Sequence, residues 1–242
     1  MLALPHLPAL AETGTHHHWS YRGHNGPPHW AELDPAYRAC GAGDRQSPID
    51  IRRKDAKAKV LPPLVFNYRA SPLAIIDNGH TVQVNYAPGS ALVIGGRRYE
   101  LVQFHFHHPA EEAFDGKRFE MVVHLVHKDS AGQLAVVAIP LKLGHENPLI
   151  RALWANLPKE GDHEPAQRKI AINAEDLIPM DHHYYAYSGS LTTPPCSEGV
   201  RWSVLRTPVE VSKAQIAAFA KRYPDDARPL QQLNGREVLV SR

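Results

Sequence analysis

Cysteine is almost missing from this chain, with two in 242 residues. Two thiols cannot build a Cys-rich zinc module or the disulfide scaffold of a miniprotein. An excess of either charge is missing too, with 27 Lys and Arg against 25 Asp and Glu. That balance excludes the basic footprint of a nucleic-acid binder and a polybasic membrane anchor. No stretch approaches the roughly 18 consecutive apolar residues of a transmembrane helix, so membrane insertion is not expected. Hydrophobic residues at 43% and charged residues at 21% argue against disorder. What the chain does have is 21 Pro, 16 Gly and 16 His. Abundant Pro and Gly imply many turns and hence short strands. With thiols so scarce, a transition metal would have to be held mostly by imidazole.

At the N-terminus, Ala9-Leu10-Ala11 before Glu12 is a small-x-small pattern of the type that precedes secretory cleavage. The positive n-region and longer apolar run of a complete signal peptide are missing. Residues 1–14 therefore read as a signal-peptide remnant or a disordered tail, and 15–242 as a single β-rich domain. No repeat or long linker divides that domain. Leu73 to Ile76 leads into an Asp77-Asn78-Gly79 turn signal, and His80 to Tyr86 alternates. Ala91 to Ile94, Gly95-Gly96 and Arg97 to Leu101 form a hairpin pattern. Leu101 to His107 and Phe119 to His127 also alternate, with Asp115-Gly116 as the turn between them. Leu134 to Leu141 is a continuous apolar run suited to a buried central strand. Helices are few, at Pro148 to Asn156 and Ser212 to Arg222, with Ser212 as N-cap.

His105-Phe106-His107 is the first motif with chemical content. Residues two apart on a strand share a face, so both imidazoles point one way and Phe104 and Phe106 the other. Two imidazoles so placed can meet a zinc ion at about 2.0–2.1 Å. A hairpin through Asp115-Gly116 would bring either His124 or His127 beside them, and strand parity leaves the choice open. Three imidazoles with an open fourth position describe a catalytic rather than a structural zinc site.

From about Thr15 to Val240 the sequence resembles the α-class carbonic anhydrases. The resemblance is carried by His17-His18-Trp19-Ser20-Tyr21, His24-Asn25-Gly26-Pro27, Trp30, Gln46-Ser47-Pro48-Ile49-Asp50-Ile51 and Asn78-Gly79-His80-Thr81. It continues through Gln103-Phe104-His105-Phe106-His107, His124-Leu125-Val126-His127 and Ser190-Leu191-Thr192-Thr193-Pro194-Pro195. It implies a single domain, mainly β with few short helices, around a large central, mostly antiparallel twisted sheet. It implies reversible hydration of carbon dioxide to bicarbonate and a proton through zinc-bound hydroxide. A slower esterase activity is an expected secondary property. The third ligand becomes His124, beside His105 and His107.

The resemblance also assigns roles around the metal. Thr192 would accept a hydrogen bond from the hydroxide and donate to Glu111, an obligate acceptor when ionised. His80 would shuttle the proton, since an imidazole with an ordinary pKa near 6.5 exchanges protons readily at neutral pH. Tyr21, Asn78 and Gln83 would order the connecting waters. Val126, Val136, Leu191, Val200 and Trp202 would form an apolar wall for carbon dioxide, and Thr193 the polar rim. Cys40 and Cys196 match the disulfide of exported bacterial members, which implies a periplasmic or secreted protein and suggests a homodimer. One position departs from the pattern: Val122 stands where the family often has a glutamate behind the third ligand. Glu120, two residues further along, is too distant to replace it. A non-catalytic binding module is disfavoured because all three ligands are present. A dedicated ester hydrolase lacks any motif for a larger acyl group.

Overall fold

The computed structural model describes residues 18–160 and 166–242. The expected remnant at 1–14 lies outside the described residues, as do His16, His17 and His163. Thirteen strands form one large sheet. Along its main path the order is Ala166–Ile172, Ser71–Asp77, Val82–Asn85, Arg97–His107, Met121–Lys128, Leu134–Leu143, Glu198–Leu205, Tyr184–Ser190, Leu239–Ser241 and Lys57–Lys59. Pairing is antiparallel except in three strand pairs. Leu134–Leu143 runs parallel to Glu198–Leu205 and Val209–Val211, and Leu239–Ser241 runs parallel to Lys57–Lys59. The expectation of a mainly β fold around a mostly antiparallel sheet therefore holds.

The apolar run at Leu134 sits in the middle of this sheet, as its unbroken hydrophobicity implied. Pro140 would normally disrupt a central strand, because it has no N–H to donate. It falls between the stretch paired with Arg201–Val204 and the stretch paired with Val209–Val211, where the parallel ladder is interrupted. The Ala91–Ile94 hairpin forms as expected, with positive φ at Gly95 and Gly96 as a tight turn demands.

Strand alternation divides the core in two. Phe104, Phe106, Val123, Leu125, Val137 and Ile139 face one apolar cluster. Val122, Val136, Ala138, Val200 and Trp202 face another. Both longer helices cover the first face. Phe106 packs edge-on against Trp154, at the end of Pro148–Trp154, and at 6.1 Å from Phe219 of Lys213–Arg222. Asn147 caps the first helix through Ile150 N at 3.0 Å. Ser212 and Gln215 form a reciprocal capping box on the second. With the helices on one side, the opposite face of the sheet is left to the histidines.

The Asp115-Gly116 turn is real, but it does not join the two histidine strands directly. Both residues have positive φ and connect Ala113–Phe114 to Lys117–Arg118. Together with Asp50–Ile51 these form a separate small sheet. The excursion between the histidine strands is therefore longer than a hairpin, and it carries Glu111 and Glu112.

Candidate metal centre

Cross-strand register builds the site in rows. Gln83 pairs with His105, His105 with His124, His124 with Ala138 and Ala138 with Val204. The adjacent row on the same face runs Asn85, Gln103, Val126, Val136, Trp202 and Tyr187. Polar side chains thus occupy one end of the surface and apolar ones the other, with the imidazoles between. Beyond Val126 the register slips before His127. His127 points to the opposite face, where Tyr68 OH donates to its Nε2 at 2.6 Å and its Nδ1–H donates to Ala135 O at 3.2 Å. Parity left His124 and His127 open; the fold turns His124 toward the pair.

Among the described residues, His105, His107 and His124 are the one group arranged to hold a metal ion, with ligand atoms all within 4.8 Å of one another. Their ring centroids lie 5.0–5.4 Å apart. Each ring has one nitrogen engaged by an acceptor. His105 Nδ1 donates to Gln103 Oε1 at 2.8 Å, His107 Nδ1 to Asp226 O at 2.8 Å and His124 Nε2 to Glu112 Oε1 at 3.1 Å. With the proton fixed on those nitrogens, the lone pair of each neutral ring would lie on the opposite one, Nε2 of His105 and His107 and Nδ1 of His124. His107 Nε2 is buried without a hydrogen-bond partner. Desolvation, followed by the neighbouring His107 and His124, holds the His105 pKa well below its ordinary value. Acceptors that orient each ring and an orphaned inward nitrogen fit a divalent zinc ion.

Glu111 is completely buried. Its Oε1 accepts from Arg228 N at 2.8 Å, and its Oε2 has no hydrogen-bond partner. That oxygen lies 3.5 Å from His107 Nε2 and 3.8 Å from His124 Nδ1. The expected Thr192–Glu111 hydrogen bond is therefore not made in this structure, although Thr192 is buried too. Tyr21 OH is a further buried group without a partner, and burial, then Glu111 and Asp226, raise its pKa well above the ordinary value. Asn78 Oδ1 accepts from His80 N and Thr81 N, so it shapes the turn, while Asn78 Nδ2 reaches Gln83 Oε1 at 3.4 Å. His80 is half-buried and stacks flat on Trp19, centroids 3.6 Å apart. It lines a surface cavity of about 240 Å³ with His18, Trp19 and Tyr21.

The apolar group is brought together as expected. Val136, Val200 and Trp202 are buried, with Val126 and Leu191 packed against them. Trp202 meets His124 edge-on at 4.9 Å. Leu191, Thr192 and Thr193 occupy the loop between Tyr184–Ser190 and Glu198–Leu205. A disulfide joins that loop, through Cys196, to Cys40. Sequence reasoning missed the acceptors behind the ligands. Gln103 was legible, being two residues before His105 on the same face. Asp226 and Glu112 come from distant backbone and from a loop, and no local pattern points to them.

Three imidazoles converging beside an apolar wall on a twisted sheet define a candidate metal centre of the kind enzymes use on small molecules. The family model of eukaryotic-type carbonic anhydrases matches residues 25–242. A carbonic anhydrase of Nostoc sp. (strain PCC 7120) is 45% identical over 96% of this chain and 88% of its own length. One from Klebsiella pneumoniae is 42% identical over 99% and 96%. An alpha-carbonic anhydrase from Thermovibrio ammonificans, solved with the inhibitor sulfanilamide, superposes with a TM-score of 0.89. It is 42% identical, covering 92% of this chain and 98% of that one. This chain belongs to the α-carbonic anhydrase family.

Proposed function

We propose that this carbonic anhydrase hydrates carbon dioxide reversibly at a zinc ion held by His105, His107 and His124. The convergence of three imidazoles, each oriented by its own acceptor, carries the reading. A bound zinc ion supplies acidified water, lowering its pKa from 15.7 to about 7. Three uncharged ligands leave the ion's full charge available for that task. Glu111 Oε2, buried, facing the ligand nitrogens and without a hydrogen-bond partner, is available to accept from the Thr192 hydroxyl and so orient it. Thr192 then presents its own oxygen as acceptor toward the reacting water. Val126, Val136, Leu191, Val200 and Trp202 bind carbon dioxide by shape and dispersion, because it offers no strong polar handle, and Thr193 completes the polar rim. His80 carries the proton to solvent, with Tyr21, Asn78 and Gln83 ordering the water path. Half-buried, it keeps the access to solvent that a group handing protons to buffer needs.

A slow esterase activity follows from the same chemistry. The Cys40–Cys196 bridge supports an oxidising compartment, periplasmic or extracellular, and a homodimer is the proposed assembly. No helix among the described residues is long and apolar enough to cross a membrane. Stopped-flow hydration of carbon dioxide, alongside metal content, tests the reading. Expected are about one zinc per chain, on the three-ligand argument, and activity lost to chelator and restored by zinc. Chelator-resistant activity or none at all would overturn it.

A further inference from the structure

Two observations about His124 belong together. On its own strand, the same-face residue before it is Val122, fully buried in the apolar cluster with Ile49, Phe114 and Ala138. The strand itself offers no acceptor on that face beside His124, where Val122 and Val126 are its neighbours. Glu120 is exposed, and its Oε2 takes Leu143 N at 3.2 Å. His124 nevertheless has an acceptor, and it arrives from outside the sheet. Glu112, in the excursion that follows the His105 strand, places Oε1 at 3.1 Å and Oε2 at 3.4 Å from His124 Nε2. Both side chains are 1% exposed.

A buried carboxylate costs several kcal/mol unless a donor or cation compensates it. The structure gives Glu112 one such side chain, the imidazole of His124. Burying a charge there is hard to account for as packing, since an apolar residue would serve better in that cluster. As an anchor it is readily accounted for. An ionised acceptor at Nε2 forces the proton onto that nitrogen and frees Nδ1 for the metal. It also holds the ring against rotation about its side-chain torsions. Glu111 and Glu112 then divide the work of one loop: one faces the inward nitrogens, the other grips a ring from behind.

We propose that Glu112 is the positioning residue of the third ligand, so that retention of zinc depends on a loop carboxylate rather than on a strand one. This rests on the zinc reading above. The test is the rate at which the zinc-loaded protein gives up metal to excess dipicolinate, with the imidazole N–H resonances of the same samples. Glu112→Ala releases zinc about 10–100-fold faster than wild type. It also loses the exchange-protected His124 Nε2–H signal, while those of His105 and His107 Nδ1–H persist. Glu112→Gln keeps a neutral acceptor of the same shape and shows a smaller acceleration with the signal retained. It also decides the matter if the alanine variant does not fold. Glu120→Ala releases zinc at the wild-type rate. Wild-type release from both Glu112 variants, with the His124 signal intact, overturns the proposal. A wild-type protein that holds no zinc overturns the metal reading itself, and the two failures are thereby distinguished.

Discussion

His124 and His127 lie three residues apart on one strand, and their surroundings give them different chemistry. His127 is fully buried, and its neutral ring accepts from Tyr68 OH and donates to Ala135 O. Burial outweighs these backbone contacts and lowers its pKa to about 4. The unfolded chain, with an ordinary value near 6.5, binds the proton first as pH falls. Stability is therefore full above about pH 6.5 and drops toward pH 4 at about 1.4 kcal/mol per unit for this one group. Denaturant unfolding at pH 7.5 and pH 5.0 checks this: His127→Gln is expected to flatten the decline by about 2 kcal/mol. An equal decline in both proteins would exclude His127 as its source. The sequence showed both residues as histidines on an alternating strand. It did not show which of them joins His105 and His107, because a strand bearing apolar residues on both sides has no inside or outside of its own. The missing information was the register against Arg97–His107, which depends on residues remote in sequence.

At the scale of strands, most of the site was legible. His105 and His107 followed from period two, and the apolar run at Leu134 announced a central strand. Both helices could be read from their spacing, and the second also from its Ser212 cap, whereas the Asn147 cap of the first could not. The acceptors behind the ligands could not be read this way, apart from Gln103. Asp226 acts through its backbone carbonyl, which no side-chain pattern encodes, and Glu112 sits in a connection whose path no periodicity describes. The row Gln103, Val126, Val136, Trp202 also explains why the wall has little room to adapt, each member being fixed by two neighbouring strands. Val136→Tyr is expected to cut kcat/KM for carbon dioxide hydration by about 100-fold through misplacement of the substrate, with zinc content unchanged. An unchanged rate would remove Val136 from the wall.

At the scale of the molecule, the disulfide ties the start of the described chain to the loop of Leu191, Thr192 and Thr193. Cys40 and Cys196 pack with Trp30 and Tyr37. Hydrogen bonds tie both ends of the bridge into the body: Gln46 Nε2 donates to Cys196 O at 3.1 Å and Arg228 Nη2 to Cys40 O at 2.8 Å. The closed loop spans 156 residues, for which the chain-entropy model gives a stabilisation of about 5 kcal/mol. Replacing both cysteines by serine is accordingly expected to lower Tm by about 10–20 °C in calorimetry. A shift of only a degree or two would mean that the bridge restrains little. The bond also imposes a chronology on the making of the protein. Cys196 leaves the ribosome after both strands that bear His105, His107 and His124, so the covalent lock closes only when those strands are already made. Four thiols would admit three pairings, whereas two admit one within a chain. Maturation therefore calls for an oxidant and has no wrong intramolecular bond to undo.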